Sequence, residues 1–343
     1  MKPVREQTSI TTPKLSVALV TYNHEPFIAQ AIESVLMQET DFPIELVIGE
    51  DCSKDATRDI VMSYAARYPA VVRALPTKQN LGLNQNYRGT IGACRGQYIA
   101  LLEGDDYWVS PRKLQQQIRL MDEHPDWSMC GSACQFIIVN PDGKEQVAGV
   151  IQPGILKPCY GLTDFLEAYD MHTSTILLKR GLLEWPVWLD ELLAIDTSLF
   201  ALHAEKGPAG YLNEITSVYR GHGGGLWIGK SPIDRCRADN KALELLDAHF
   251  KGRFHRLLRR REGRNALGAV RQLLENGRPT EARNFYWEAA CRTAVFMPLT
   301  FLGWWFRVYG HRWITAWNHF TASACIRTRL KNLSKRWLQW VRQ

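Results

Sequence analysis

The chain has 343 residues, 45% of them apolar and 22% charged, an ordinary globular make-up with room for one large domain plus an appendage or for two domains. Its formal charge of +7 is uneven: residues 251–343 hold 19 Lys/Arg and 4 Asp/Glu, a net of +15, which leaves −8 on the first 250 residues. No apolar run reaches the roughly 18–20 residues of a transmembrane helix, and the polar residues 1–14 lack the apolar core of a signal peptide. The eight scattered cysteines form no CxxC pair and no zinc-spaced Cys/His cluster, the pattern of reduced thiols in a cytosolic protein.

Residues 1–14 read as a flexible N-terminus. Residues 15–21 form a buried-type strand, 22–26 a turn, and Phe27, Ile28, Ala31, Ile32, Val35 and Leu36 recur at helical spacing. A second strand over 44–49 runs into Glu50-Asp51-Cys52-Ser53, followed by a helix over about 56–68 and a short strand at 71–75. After the turn at Asn80, Leu81 and Gly82, a helix leads to about Cys94 and then to the apolar run 98–102. That run ends in Glu103-Gly104-Asp105-Asp106-Tyr107-Trp108. Strands alternating with helices of this length predict βαβ units and a mostly parallel, Rossmann-like α/β sheet flanked by helices.

Further on, 111–123 reads as a helix with Ser110 as N-cap and Pro111 at its first position. Residues 127–139 read as one or two strands, 163–169 as a short helix, and 171–178 as a polar turn entering a strand. A helix opens at Asp196, and a strand over 211–219 ends in Arg220-Gly221-His222 and three further glycines. From about Asp234 onward the pattern is helical and basic.

In a sheet of this kind ligands bind at the carboxyl ends of the strands. Those ends carry Thr21 and Tyr22, Glu50 and Asp51, and the carboxylates of Glu103, Asp105 and Asp106. Clustered carboxylates repel one another unless a cation lies between them, and hard oxygen donors suit Mg²⁺ or Mn²⁺. A solvated acidic loop is the plain alternative, and the convergence of three strand ends favours the metal. The chain has neither GxGxxG after its first strand nor GxxxxGK[ST], which disfavours a dinucleotide site and a P-loop.

Five segments in register carry a resemblance: Val20-Thr21-Tyr22-Asn23, Ser34-Val35-Leu36-Met37-Gln38, Glu50-Asp51-Cys52-Ser53-Lys54-Asp55-Ala56-Thr57, Asn80-Leu81-Gly82 and Glu103-Gly104-Asp105-Asp106-Tyr107-Trp108. With them, residues 15 to about 227 resemble the family 2 glycosyltransferases of GT-A fold, in particular bacterial members that build surface polysaccharide or lipopolysaccharide. The resemblance implies inverting transfer of a sugar from a UDP- or dTDP-type donor to a glycan or lipid-linked acceptor, assisted by a divalent cation. It implies that Thr21 and Tyr22 line the nucleotide pocket and that Asp51 accepts from the base. Asp105 then holds the metal, with Asp106 shared between metal and ribose; Glu103 stands where the family has Asp. Asp196 is implied as the catalytic base, with Asp190 and Glu191 as rivals and an ordinary N-cap as the plain alternative. In Tyr219-Arg220-Gly221-His222, Arg220 is implied to bind phosphate and His222 to complete the metal shell or touch the diphosphate. His172, Thr173 and Ser174 are assigned to the acceptor side or to turn chemistry, and Trp227 to a lid or to the core.

The expected domain boundaries are 15–232 for the transferase domain and 233–343 for a helical, basic appendage. Within it, 264–292 holds two helical patterns parted by Gly277 and Pro279. Seven of the 12 tryptophans lie beyond residue 250. Aromatics among basic residues at helical spacing, as over 327–342, suit an anionic membrane surface. The expected location is cytoplasmic, peripheral on the inner face of the membrane. No motif supports nucleic-acid binding. A non-catalytic nucleotide-sugar-binding scaffold is the other class of function consistent with these features.

Overall fold

The computed structural model describes residues 12–308 apart from 141, 169, 170, 226, 228, 299, 306 and 307. The elements are β1 (Leu15–Thr21), α1 (Ile28–Leu36), β2 (Ile44–Glu50), α2 (Thr57–Arg67), β3 (Val72–Pro76), α3 (Leu83–Ala93), β4 (Tyr98–Glu103) and β5 (Tyr107–Trp108). They continue with α4 (Lys113–Glu123), β6 (Met129–Val139), β7 (Glu145–Ile151), β8 (Cys159–Tyr160), α5 (Leu162–Glu167), β9 (Leu177–Lys179), α6 (Asp196–Ala204), β10 (Ala209–Gly221), α7 (Pro232–His249), α8 (His255–Glu275) and α9 (Pro279–Thr293).

Among the described residues one sheet of ten strands runs β3-β2-β1-β4-β9-β6-β10-β5, with β7 added to β6 and β8 to β10. β3, β2, β1 and β4 are mutually parallel. β9 is antiparallel to both β4 and β6, so β6 and its parallel neighbour β10 point the same way as the first four. The expected mostly parallel α/β sheet is what forms.

Side chains alternate across a strand, which explains the two cores. Leu15, Val17 and Leu19 of β1 pack with Ile28, Ile32 and Val35 of α1, Val61 of α2, and Leu114 and Ile118 of α4. Ala18 and Val20 face the other way, with Tyr87 of α3 and Leu199 and Phe200 of α6. All seven residues of β1 are buried, as a strand covered on both faces requires.

The chain divides into two compact units, Met1–Arg261 and Glu262–Gln343. α7 falls in the first, where Ala242, Leu243, Leu246 and Phe250 join the core containing α6. The sheet-bearing unit thus extends past residue 232, because α7 has an apolar stripe to bury. In the second unit Tyr286 donates to the carbonyl of Phe301 at 2.6 Å, and Arg292 pairs with Glu262 at 3.1 Å. No helix among the described residues is long and apolar enough to cross a membrane. The basic stretch 327–342 and most of residues 1–14 lie outside the described residues.

One local expectation differs. α4 starts at Lys113 after Arg112, and Ser110 caps nothing with its side chain. Of the one or two strands expected over 127–139 a single one forms, Met129–Val139, and the expected polar turn before β9 is a 3₁₀ turn at Thr173–Thr175.

Candidate active site

Parallel pairing brings the ends of β1, β2 and β4 together, two of them acidic. Thr21 is in register with Glu50, and Val20 with Glu103. The Asp51 amide donates to the Thr21 carbonyl at 3.1 Å, and the Gly104 amide to that of Val20 at 2.9 Å. A Cβ at Gly104 would lie 2.5 Å from Thr21 Oγ1 and 2.9 Å from His24 Nδ1, so only glycine lets the acidic turn come this close to β1.

The loop after β1 is fastened to the loop after β2. Asn23 adopts a left-handed conformation (φ 55°). Its amide donates to Ser53 Oγ at 3.0 Å, and its side chain accepts from the Lys54 amide at 2.8 Å. The His24 amide donates to Thr57 Oγ1 at 2.8 Å. Glu25 and Asp55 carboxylates each accept a backbone amide from the opposite loop. This fixes the His24 ring, with Nδ1 at 3.3 Å from Thr21 Oγ1 and Nε2 at 3.6 Å from Asp105 Oδ2.

Asp105 is the charged centre of the site. His222 Nε2 lies 3.1 Å from the same Oδ2, its ring packed on Phe27. Burial opposes the Asp105 charge, but His24 and the hydrogen bond from His222 outweigh it and hold the carboxyl down at about 2. Adjacent ligands of an octahedral ion with bonds of about 2.1 Å stand about 3 Å apart, so Asp105 and His222 have the spacing of two neighbouring ligands, with His24 next to them. Among the described residues no three His, Cys, Asp or Glu side chains are pre-assembled round one position. A cation here would therefore draw its remaining ligands from a bound substrate.

The neighbouring carboxyls behave differently. Glu103 accepts from Tyr87 OH at 2.5 Å, and its Oε2 is buried without a partner. Burial, with Asp105 and Asp196 nearby, pushes it up to about 8 against the pull of that hydrogen bond. Asp106 is 1% exposed and accepts from the Arg220 amide at 3.0 Å. Burial and the charges of Asp105 and Glu103 push it well above the carboxylate range. The Arg220 guanidinium donates to the Asp105 carbonyl at 2.9 Å and to Gln30, and reaches Glu145 at 3.3 Å. It lies over the rings of Tyr107 and Phe27.

Near the turn stands Asp196, the half-buried first residue of α6, which accepts from the Thr197 amide at 2.9 Å. Burial raises it, opposed by Thr197 and Arg261. Asp196 is near enough to both Glu103 and Tyr219 to raise their affinity for protons. Asp239, on the inward stripe of α7 with Cys236 and Leu243, is raised to about 6 by burial and by Asp196. His172 Nδ1 lies 3.6 Å from Asp106 Oδ2, and its ring stacks on Tyr219 at 4.2 Å. Burial lowers the imidazole to about 4.

The sequence model described as "Glycosyl transferase family 2" matches residues 16–184, from β1 through the acidic turn to just beyond β9. Residues 16–184 thus form a glycosyl transferase family 2 domain. An uncharacterized protein of Mycobacterium tuberculosis strain H37Rv is 32% identical over 216 residues, 62% of this chain and 60% of that protein. The succinoglycan biosynthesis protein ExoO of Rhizobium meliloti is 37% identical over 110 residues, 32% of this chain and 30% of ExoO. The chain thus spans 60% or less of the length of these curated relatives. A mannosyltransferase of Pyrobaculum calidifontis, solved with GDP-Man and Mn²⁺, shares the fold at TM-score 0.55 and 17% identity, over 94% of this chain and 88% of that one.

The expected site residues divide. Thr21, Asp105, His222 and Asp196 come together around the acidic turn. Tyr22 follows Thr21, half-buried. Two assignments are corrected. Arg220 is not open to phosphate, because its guanidinium is 3% exposed and taken up by Asp105, Gln30 and Glu145. Asp106 is turned inward onto β10 and is no metal or ribose ligand in this arrangement, since its carboxyl is closed off from solvent. Asp51 takes the amides of Leu81 at 2.7 Å and Gly82 at 2.9 Å on its two oxygens, which ties down the loop after β3. Among the rivals for the base, Asp190 is engaged by Arg88 and Trp185, and Glu191 by Lys241. Sequence reasoning missed His24 and Asp239. A histidine directly after the first strand end was a usable signal for the first; nothing local marked the second.

Proposed function

We propose that this chain is a metal-assisted, inverting glycosyltransferase that moves a sugar from a UDP- or dTDP-type nucleotide donor to a glycan or lipid-linked acceptor. The observation that carries this reading is the ionised Asp105 at the end of β4, faced by His222 and His24 and separate from the half-buried carboxylate of Asp196. A divalent cation, Mn²⁺ or Mg²⁺, held by Asp105 and His222 with His24 beside them, would supply counter-charge to the leaving diphosphate.

The chain's own groups supply the rest. Asp196 accepts the proton of the acceptor hydroxyl as its oxygen bonds to the anomeric carbon, and the bond from that carbon to the diphosphate breaks on the opposite side. One in-line displacement inverts the anomeric centre. Burial raises the proton affinity of Asp196, the direction that makes a carboxylate a stronger base, and a positioned base is worth about 10²–10⁴-fold. Arg220 and Tyr87 hold the turn so that Asp105 keeps its aim.

Surface-polysaccharide or lipopolysaccharide synthesis is the context we propose, supported by likeness to a protein named for succinoglycan biosynthesis. The net +15 and seven tryptophans beyond residue 250 support peripheral attachment to the inner face of the cytoplasmic membrane. The test is a thermal-shift screen of UDP-, dTDP- and GDP-sugars with and without Mn²⁺, followed by NMR of the product anomer. Stabilisation by a nucleotide-sugar that depends on Mn²⁺, and an inverted product, are expected. Absence of both rejects the reading.

A further inference from the structure

One face of α3 touches both ends of the site. Asn84, Tyr87 and Arg88 stand three and four residues apart, so they share a side of the helix. Tyr87 OH donates to Glu103 in the acidic turn at 2.5 Å. Asn84 and Arg88 bond instead to the segment that runs into α6. Asn84 Nδ2 donates to the Leu189 carbonyl at 3.1 Å and to the Leu192 carbonyl at 2.5 Å. Arg88 reaches Asp190 Oδ2 at 3.0 Å, and Trp185 Nε1 holds Oδ1 of the same carboxylate at 2.9 Å. Four residues beyond Leu192 the chain reaches Asp196.

α3 is itself held fast. Asp51 takes the Leu81 and Gly82 amides just before its first turn. Asn86 Nδ2 donates to the Gly49 carbonyl of β2 at 2.9 Å. A Cβ at Gly49 would fall 2.0 Å from Thr90 Oγ1, so the helix lies directly on β2. It cannot slide without breaking these bonds.

Asn84 is placed for its donors. It is buried, and both hydrogens of its amide nitrogen are used. Its Oδ1 is buried without a partner among the described residues. Turned over, the amide would set that oxygen against two carbonyl oxygens, so its orientation is fixed. An unpaired buried acceptor opposes stability, and a leucine would fill the same space. What asparagine adds is a clamp across two carbonyls. The side chains of Leu189 and Leu192 are buried in one core with Ile195 and Leu199. The Leu199 amide donates to the Ile195 carbonyl at 2.7 Å in the first turn of α6. Between the clamp and that turn only three residues intervene, 193–195, and Asp196 follows them.

We infer that Asn84 is a positioning residue: by holding the carbonyls of Leu189 and Leu192 it sets Asp196 against the acidic turn that Tyr87 holds from the same helix face. This rests on the reading of Asp196 as the base of a nucleotide-sugar transferase.

The experiment follows hydrolysis of UDP-glucose, UDP-N-acetylglucosamine, dTDP-glucose and GDP-mannose by the full chain in Mn²⁺, with donor affinity measured by calorimetry. Water is the acceptor: its oxygen bonds to the anomeric carbon, its proton passes to Asp196, and the nucleoside diphosphate leaves and is assayed. Asn84→Leu keeps the volume and loses both donors. It is expected to lower kcat about ten- to hundredfold with donor affinity unchanged, since an error of about 1 Å in a catalytic group can cost about 10²-fold. Asn84→Ser keeps one donor in less volume and is expected to fall between Asn84→Leu and wild type. In an Asp196→Asn background, Asn84→Leu is expected to add less than about twofold, because residues that act through one group are not additive. Undiminished kcat in both Asn84 variants overturns the inference, as does a loss of donor affinity equal to the loss of kcat. The same fold-loss in the Asp196→Asn background also overturns it, because Asn84 would then act apart from Asp196. Full turnover by Asp196→Asn alone, or release of no nucleoside diphosphate by the wild type, overturns the parent reading as well.

Discussion

His222 Nε2 and Asp105 Oδ2 stand 3.1 Å apart across 117 residues of sequence. One comes from the end of β10 and the other from the turn after β4, and the sheet order places β9 and β6 between those two strands. The contact therefore depends on the whole sheet closing in the right order. It leaves a single carboxylate ionised in a cluster where burial drives its neighbours toward the protonated form.

Asp105→Asn retains volume and removes the charge. Mn²⁺ affinity, read by titration calorimetry or by the Mn²⁺ electron spin resonance signal, is expected to fall at least about tenfold, the scale of losing one protein ligand group. Retained affinity would move the metal elsewhere.

Asp196→Asn is expected to lower kcat by about 10²–10⁴-fold while leaving donor affinity intact. Steady-state kinetics alongside donor titration make the distinction. Near-normal turnover would transfer the base role to another group, Asp239 being the next carboxyl on that side.

Gly104→Ala tests the close approach of the turn to β1. The added Cβ has Thr21 and His24 within 3 Å, so the turn must retreat or His24 must swing away. Donor binding is expected to drop with only a small change in melting temperature; unchanged binding would show that His24 has no bearing on the site.

Arg220→Met should act on stability first. The guanidinium is buried and bonded to Asp105, Gln30 and Glu145, so its loss strands the Asp105 carbonyl and is expected to cost about 2–4 kcal/mol in urea unfolding. A loss of phosphate affinity at full stability would instead restore the direct anion-binding role.

Lys113 gives a pH signature away from the site. Its ammonium is fully buried, bonded to Gln117 Oε1 at 2.7 Å and over the Trp108 ring at 4.5 Å, and burial lowers it to about 7 from 10.5. The unfolded chain keeps this proton to about pH 10.5 and the folded chain only to about 7, so between these values the unfolded state binds more protons and stability rises with pH. Below pH 7 both states hold the proton and the full penalty remains. Lys113→Met is therefore expected to gain most over wild type near pH 6 and progressively less toward pH 10, measured as melting temperature against pH. A constant difference would reject the assignment.

The sheet's first half was legible because its signals are local. Leu15–Thr21 and Ile44–Glu50 are continuous apolar runs, and the helices between them repeat at helical spacing. β9 was harder to place: three residues, Leu177–Lys179, carry no periodicity long enough to show that they slot antiparallel between β4 and β6. The site was legible as a set of residues more than as a set of roles. Asp105, His222 and Asp196 could be named from sequence, whereas Arg220 and Asp106 look like surface binding groups until their hydrogen bonds are seen. Those bonds go to the Asp105 carbonyl and to the backbone of β10.

Local signals were enough to place the ends of β1, β2 and β4 on one edge, because parallel βαβ units direct their strands the same way, and five segments in register carried the resemblance to family 2 glycosyltransferases. Which acidic group stays charged depends on packing between segments far apart in the chain. Glu103, Asp105 and Asp106 are near neighbours in sequence, and what separates them is the protein around each: Tyr87 and low-dielectric packing for Glu103, the inward fold of β10 for Asp106, and two imidazoles from distant segments for Asp105. Burial and partner charge set a proton's affinity, and neither is a property of local sequence.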